Sequence, residues 1–164
     1  TALENLESLS LIEPIKDFVA SGKPFMGICL GLQLLFSESE EFGSHKGFDI
    51  IKGKIRKFPT KDGSGERYKV PQIAWNKIKS PLNGGFEQSP LKGVPDESYM
   101  YFVHSYYAEP ENSDEILTLT DYSKPNYCSG ILKNNIFAVQ FHPEKSGILG
   151  LKIYENWATI NGLI

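Results

Sequence analysis

Residues 25–33 read FMGICLGLQ, and the fold turns on how they are read. An apolar run leads into Gly27, a cysteine stands two residues later, and Gly31 follows two residues after that. The spacing G-x-nucleophile-x-G belongs to a sharp turn from a strand into a helix, with the reactive side chain at its apex. Such a turn crowds the chain on both sides of the apex, and glycine removes the side chains that would clash. The pattern predicts a buried strand over PFMGI (24–28) and a helix over LGLQLLFSESEE (30–41). Cys29 then sits at a helix N-terminus, where the dipole favours a thiolate and lowers the thiol pKa. The N–H of Leu30 faces the place where an oxyanion forms. A plainer reading also fits these nine residues: a small buried thiol flanked by glycines.

A second stretch, VQFHPEKS (139–146), carries His142 and Glu144 two residues apart. In extended chain, residues i and i+2 share a side. Pro143 cannot donate to a ladder, so the strand NIFAVQF ends there. That places His142 and Glu144 at a strand end, where the sites of open α/β sheets collect. A thiol, an imidazole to take its proton and a carboxylate to hold the imidazole make a nucleophilic triad. Taken alone, HPE also reads as a surface loop.

Outward from these two stretches the chain is ordinary in composition and mixed in pattern. Its 164 residues are 40% hydrophobic and 23% charged, with net charge −3. That is enough chain for one domain with a core, and the balance is not that of a nucleic-acid binder. Cationic residues are scattered, and no apolar run approaches the roughly 18 residues of a membrane span. The start, TALENLESLS, lacks the basic and apolar regions of a signal peptide. Two cysteines, Cys29 and Cys128, and three separated histidines make neither a disulfide framework nor a metal pattern. A cytoplasmic, reducing setting is the expectation.

Residues 2–22 read as helix, with Pro14 in a first turn and Gly22 as a stop. FDIIKGKIRKF (48–58), YKVPQIAWNKIK (68–79), SYMYFVHSYYAE (98–109), EILTLT (115–120) and YCSGILKNNIFAVQF (127–141) are rich in β-branched and aromatic residues. KNN (133–135) reads as a hairpin turn and KDGSGER (61–67) as an exposed loop. The last element, GLKIYENWATING (150–162), reads as a helix, with Leu151, Tyr154, Trp157 and Ala158 on related turns. The order is that of an α/β domain with antiparallel additions.

Together the two motifs resemble the class I, triad-type glutamine amidotransferases. VPQIAWNKI and YMYFVHSYY add a likeness to the glutaminase subunits of imidazole glycerol phosphate synthases, and the resemblance covers nearly the whole chain. It implies a flavodoxin-like α/β fold with antiparallel strand additions, in one domain over 1–164. It implies glutamine as substrate, no cofactor and no metal. Cys29 is implied to attack the side-chain amide, His142 to move protons and Glu144 to hold His142. The implied substrate contacts are Gly27, Leu30, Gln33, His104, Ser105 and Tyr106. For His104 a purely structural role competes.

The resemblance also implies a partner, a synthase (cyclase) subunit of (β/α)8 fold that consumes the ammonia in histidine biosynthesis. Trp75, Asn76, Tyr101 and Lys145 match the side facing it. Trp75 reads equally as a core tryptophan, and Lys145 as a solvated lysine. Ala74 departs from the family's P-x-x-G-W-N pattern, in which glycine is usual. Members of the family begin with a strand, a helix and a PGVG-like loop that helps form the oxyanion hole. This chain opens inside the helix that follows, so the resemblance implies an N-terminally truncated domain. Two other functions stay open: the same glutaminase serving a sugar amidotransferase in surface-polysaccharide synthesis, and a non-catalytic docking subunit.

Overall fold

The apolar positions of the first segment form two helices instead of one, α1 (Ala2–Ser8) and α2 (Ile12–Ala20). Ser10 separates them at φ 54°, a left-handed conformation that no helix interior accommodates. The computed structural model describes residues 2–41, 43, 45–61, 65, 67–81, 85–122 and 126–164. Of the loop expected at 61–67, residues 62–64 and 66 lie outside the described residues.

Strand β1 (Phe25–Ile28) follows as expected. The helix expected over 30–41 does not run its length. Helix α3 (Leu30–Leu34) stops after five residues, and β2 (Phe36–Ser39) begins at once. The reason is long-range. The carbonyls of Leu34, Leu35 and Phe36 accept from the N–H groups of Phe48, Ile51 and Asp49, and Phe36 is fully buried opposite Ile51. Tertiary pairing outweighs a local preference worth tenths of a kcal/mol per residue.

The chain continues through β3 (His45–Lys46), β4 (Ile51–Lys57), β5 (Gln72–Lys77), β6 (Tyr99–His104), β7 (Tyr106–Pro110), β8 (Ile116–Thr120), β9 (Tyr127–Lys133) and β10 (Ile136–Val139) to α4 (Gly147–Ile160). The stretch at 98–109, read as one run, is two strands parted at Ser105. Asn134 and Asn135 make the expected hairpin turn, since Lys133 pairs with Ile136.

The main sheet runs β1-β10-β9-β7-β4-β2-β3, with β8 also on β9, and β5-β6 forms a separate hairpin. β1 and β10 pair in parallel. Strand β10 is buried along its length, so its alternation feeds both faces. Ile136 and Ala138 join one core with Val19, Leu32, Leu35 and Phe36. Phe137 and Val139 join another with Met100, Phe102, Phe141 and Ile153. In α4 the buried contacts come from Gly150 and Ile153, with Leu149 and Trp157 packed beside them, while Leu151 is exposed. The expected set at 151, 154, 157 and 158 is therefore displaced by about one position. Gly150 explains it, because a Cβ there would lie 1.9 Å from the Pro143 carbonyl oxygen.

Candidate active site

Where β1 ends, Cys29 takes φ 50° and ψ −103°, and α3 starts at the next residue. This is a strained strand-to-helix apex, outside the regions that a side chain normally occupies. The Cys29 N–H donates to Val139 O at 2.8 Å, extending the β1–β10 ladder to the apex. The glycines on either side differ. A Cβ on Gly27 would lie 3.0 Å from the Gly31 carbonyl carbon and oxygen and 3.2 Å from Ala138 Cβ. A Cβ on Gly31 meets nothing within 4 Å, so only the first glycine is required by crowding.

The thiol is part-buried. Gln140 Nε2 donates to Cys29 Sγ at 3.5 Å, and Val103 O stands 3.9 Å away. Its pKa is raised, against the expectation from the helix dipole. Burial is the dominant cause, and hydrogen bonds from the Leu30 N–H and Gln140 pull the other way. The charges of Glu144 and Glu41 raise it further. A helix of five residues has little dipole to set against burial.

His142 lies three residues beyond β10. Its Nδ1 is 2.7 Å from Glu144 Oε1. The pairing arises differently from the extended-chain argument: Pro143–Lys145 is a 3₁₀ turn, and it folds Glu144 back onto the ring. The His142 N–H donates to Tyr101 O at 2.9 Å, and Ser146 Oγ donates to His142 O at 2.6 Å. His142 Nε2 is buried and has no hydrogen-bond partner among the described residues. The imidazole is thus oriented at one nitrogen and open at the other, the arrangement a general base needs.

Gln33 and Tyr106 stand together near the thiol. Gln33 Nε2 donates to Tyr106 O at 3.1 Å and to Gln140 Oε1 at 2.9 Å. Leu30 contributes its N–H at the sulfur, while its side chain is exposed. The Ser105 carbonyl accepts from the Phe58 N–H. His104 does not face the site. It is 6% exposed, with Nδ1 2.7 Å from Tyr106 O and Nε2 3.1 Å from Tyr127 Oη. Burial lowers its pKa to about 4, so it is neutral. A cavity of about 320 Å³ opens beside Leu30 and Gln33, with Glu41 and His45 also on its wall.

On the hairpin, register pairs Trp75 with Tyr101 and Ile73 with Val103. Trp75 is 52% exposed and meets Tyr101 edge-on at 6.0 Å. Lys145 Nζ lies over the Tyr101 ring at 5.7 Å. These three share one outer face beside the His142 turn. Asn76 alternates to the other face, where Nδ2 donates to Asp121 O and Oδ1 accepts from the Lys77 N–H. It does not hold Trp75. Ala74, opposite Phe102, also alternates away from Trp75.

Gln140, Ser146, Tyr127 and Gln72 were not singled out from the sequence. Gln140 had a signal, standing two residues before His142 in the same motif. Among the described residues no cluster of three His, Cys, Asp or Glu side chains is placed to hold a metal ion, and no helix is long and apolar enough to cross a membrane.

Comparison with known proteins shows the family. Residues 6–158 match the family described as glutamine amidotransferase class-I. The imidazole glycerol phosphate synthase subunit HisH of Chlorobium chlorochromatii is 44% identical over 160 residues, spanning 97% of this chain and 75% of that protein. HisH 1 of Legionella pneumophila strain Paris is 42% identical over 159 residues, with 96% and 75% spanned. Two solved structures share the fold at lower identity. A glutamine amidotransferase matches at 12% identity and TM-score 0.64, over 96% of this chain and 71% of that one. Another, from Thermotoga maritima, matches at 16% and 0.55, over 92% and 52%. The elbow that sequence spacing placed at Cys29, the histidine–glutamate pair after β10 and a family match across nearly the whole chain converge: this chain belongs to the class-I glutamine amidotransferases.

Proposed function

We propose that this chain is the glutaminase subunit of an imidazole glycerol phosphate synthase. It hydrolyses glutamine to glutamate and ammonia, and the ammonia passes to a cyclase subunit of (β/α)8 fold in histidine biosynthesis. The observations that carry the chemistry are a strained elbow cysteine after β1 and, beyond the neighbouring parallel strand β10, an imidazole already held by a carboxylate at 2.7 Å. The acceptor is carried by the 44% and 42% identity to HisH subunits.

The steps follow from the groups present. Cys29 loses its proton to His142 Nε2 and attacks the glutamine side-chain carbonyl carbon. The oxyanion develops beside the Leu30 N–H. His142 returns the proton to the leaving nitrogen, ammonia departs and a thioester remains. Water, deprotonated by His142, attacks the thioester; glutamate leaves and the thiol is regenerated. Glu144 keeps Nδ1 protonated and the ring aimed, without itself taking the proton. With both amide hydrogens engaged, Gln33 offers its oxygen to a substrate donor.

The partner meets the outer face of the hairpin, through Trp75, Tyr101 and Lys145. A raised thiol pKa fits a subunit that idles alone, since free ammonia is mostly protonated at neutral pH and is wasted without an acceptor. The test is ammonia release from glutamine, measured for the chain alone, with cyclase subunit, and with cyclase plus its acceptor substrate. Release that rises on adding partner, and that Cys29→Ala abolishes, is expected. Turnover in Cys29→Ala, or release indifferent to the partner, overturns the reading.

A further inference from the structure

Behind the site runs a line of hydrogen-bonded groups whose buried far end, Gln72, Tyr127 and His104, the proposed mechanism does not use. It runs Gln72, Tyr127, His104, then the Tyr106 carbonyl, Gln33, Gln140 and Cys29 Sγ. The spacings are 3.0 Å from Gln72 to Tyr127, 3.1 Å from Tyr127 to His104 and 2.7 Å from His104 to Tyr106 O. Beyond the carbonyl they are 3.1, 2.9 and 3.5 Å.

The inventory of donors and acceptors gives each member one orientation. Tyr106 O is a carbonyl and only accepts, so His104 Nδ1 carries the hydrogen. His104 is neutral, so its Nε2 is bare and accepts from Tyr127 Oη. A phenol has one hydrogen, and Tyr127 has now spent it. Gln72 must therefore donate to Tyr127 Oη and present its Nε2 there. With the amide turned the other way, Gln72 Oε1 faces the Tyr127 oxygen at 3.0 Å, two acceptors with no hydrogen left between them. On the other side, the two hydrogens of Gln33 Nε2 go to Tyr106 O and Gln140 Oε1. This turns Gln140 so that its own N–H points at the sulfur.

We infer that Gln72, Tyr127 and His104 are positioning residues for the nucleophile: they fix the Tyr106 carbonyl and so the Gln33–Gln140 pair that donates to Cys29 Sγ. The assignment rests on the glutaminase reading for its catalytic meaning, but its geometry stands apart from it. Gln72 lies on the inner face of β5, while Trp75 lies on the outer face of the same strand. The line therefore links that hairpin to the elbow.

The test is the pH profile of Cys29 alkylation by iodoacetamide, in the Cys128→Ser background, with fold followed by near-ultraviolet circular dichroism. Tyr127→Phe and Gln72→Met keep volume and remove one link each. Both are expected to move the alkylation midpoint up by about half a unit or more, because a donor to the thiolate becomes poorly aimed. With the cyclase subunit present, each is expected to lower kcat for glutamine by roughly tenfold, with KM changed less. In a Gln140→Leu background the same substitutions are expected to add nothing to the midpoint, since the last link is already gone. Shifts that add in full to Gln140→Leu, an unmoved midpoint, or failure of both variants to fold overturn the inference. A wild-type chain that alkylates as expected but never releases ammonia from glutamine ends the glutaminase reading and leaves the alkylation result standing.

Discussion

At Cys29 the backbone occupies a conformation that costs on the order of 1–3 kcal/mol for a residue with a side chain. Replacement by glycine removes that cost together with the sulfur. Cys29→Gly is expected to raise the chemical-denaturation midpoint while eliminating glutamine hydrolysis; an unchanged or lower midpoint would mean that the elbow stores no strain. The two neighbouring glycines are expected to part company. Gly27→Ala drives a methyl group against the Gly31 carbonyl and Ala138, and is expected to cost about 1–3 kcal/mol. Gly31→Ala meets open space within α3 and is expected to be neutral or stabilising by up to about 1 kcal/mol. Thermal melts of the pair decide this, and equal losses would contradict the packing. The thiol itself is expected to alkylate with a midpoint above that of an ordinary cysteine, because burial outweighs its two donors.

Among the elements, the β5–β6 hairpin bears two large exposed aromatics, Trp75 and Tyr99, on its outer face. Trp75→Ala removes contact area that is mostly solvated, so the melting temperature is expected to move by only a few degrees. The affinity for the cyclase subunit, measured by titration calorimetry, is expected to fall at least tenfold. A variant that unfolds would place Trp75 in the core after all. What the sequence disclosed about the elements follows from the range of the forces involved. β1, the apex at Cys29 and the Asn134–Asn135 turn depend on local spacing and were legible. The early end of α3 was not, because the carbonyls of Leu34 to Phe36 are claimed by residues 48–51 from across a loop. The His142–Glu144 contact was legible by its spacing, though a 3₁₀ turn makes it instead of a strand. The inward face of His104 depends on Tyr127, 23 residues away, and no local pattern reveals that.

For the molecule as a whole, stability carries a pH signature from His104. Its ordinary pKa of 6.5 falls to about 4 on folding, so the unfolded chain binds the extra proton between those values. Stability is therefore full above about pH 6.5 and declines as pH falls toward 4, by up to about 3 kcal/mol from this one group. Urea denaturation at a series of pH values is expected to show a slope in that window that His104→Phe flattens; an identical slope in the variant would assign it to carboxylates elsewhere. The parallel pairing of β1 with β10 has a consequence of a different kind. Cys29 follows β1 and His142 lies beyond β10, and the pairing of these two strands joins segments far apart in sequence. During synthesis the sulfur leaves the ribosome long before its imidazole exists. A nascent chain halted at Lys133 is expected to carry an ordinary, accessible thiol that labels without regard to glutamine analogues. On the proposed reading, the pairing of β10 with β1 is the step that assembles the site.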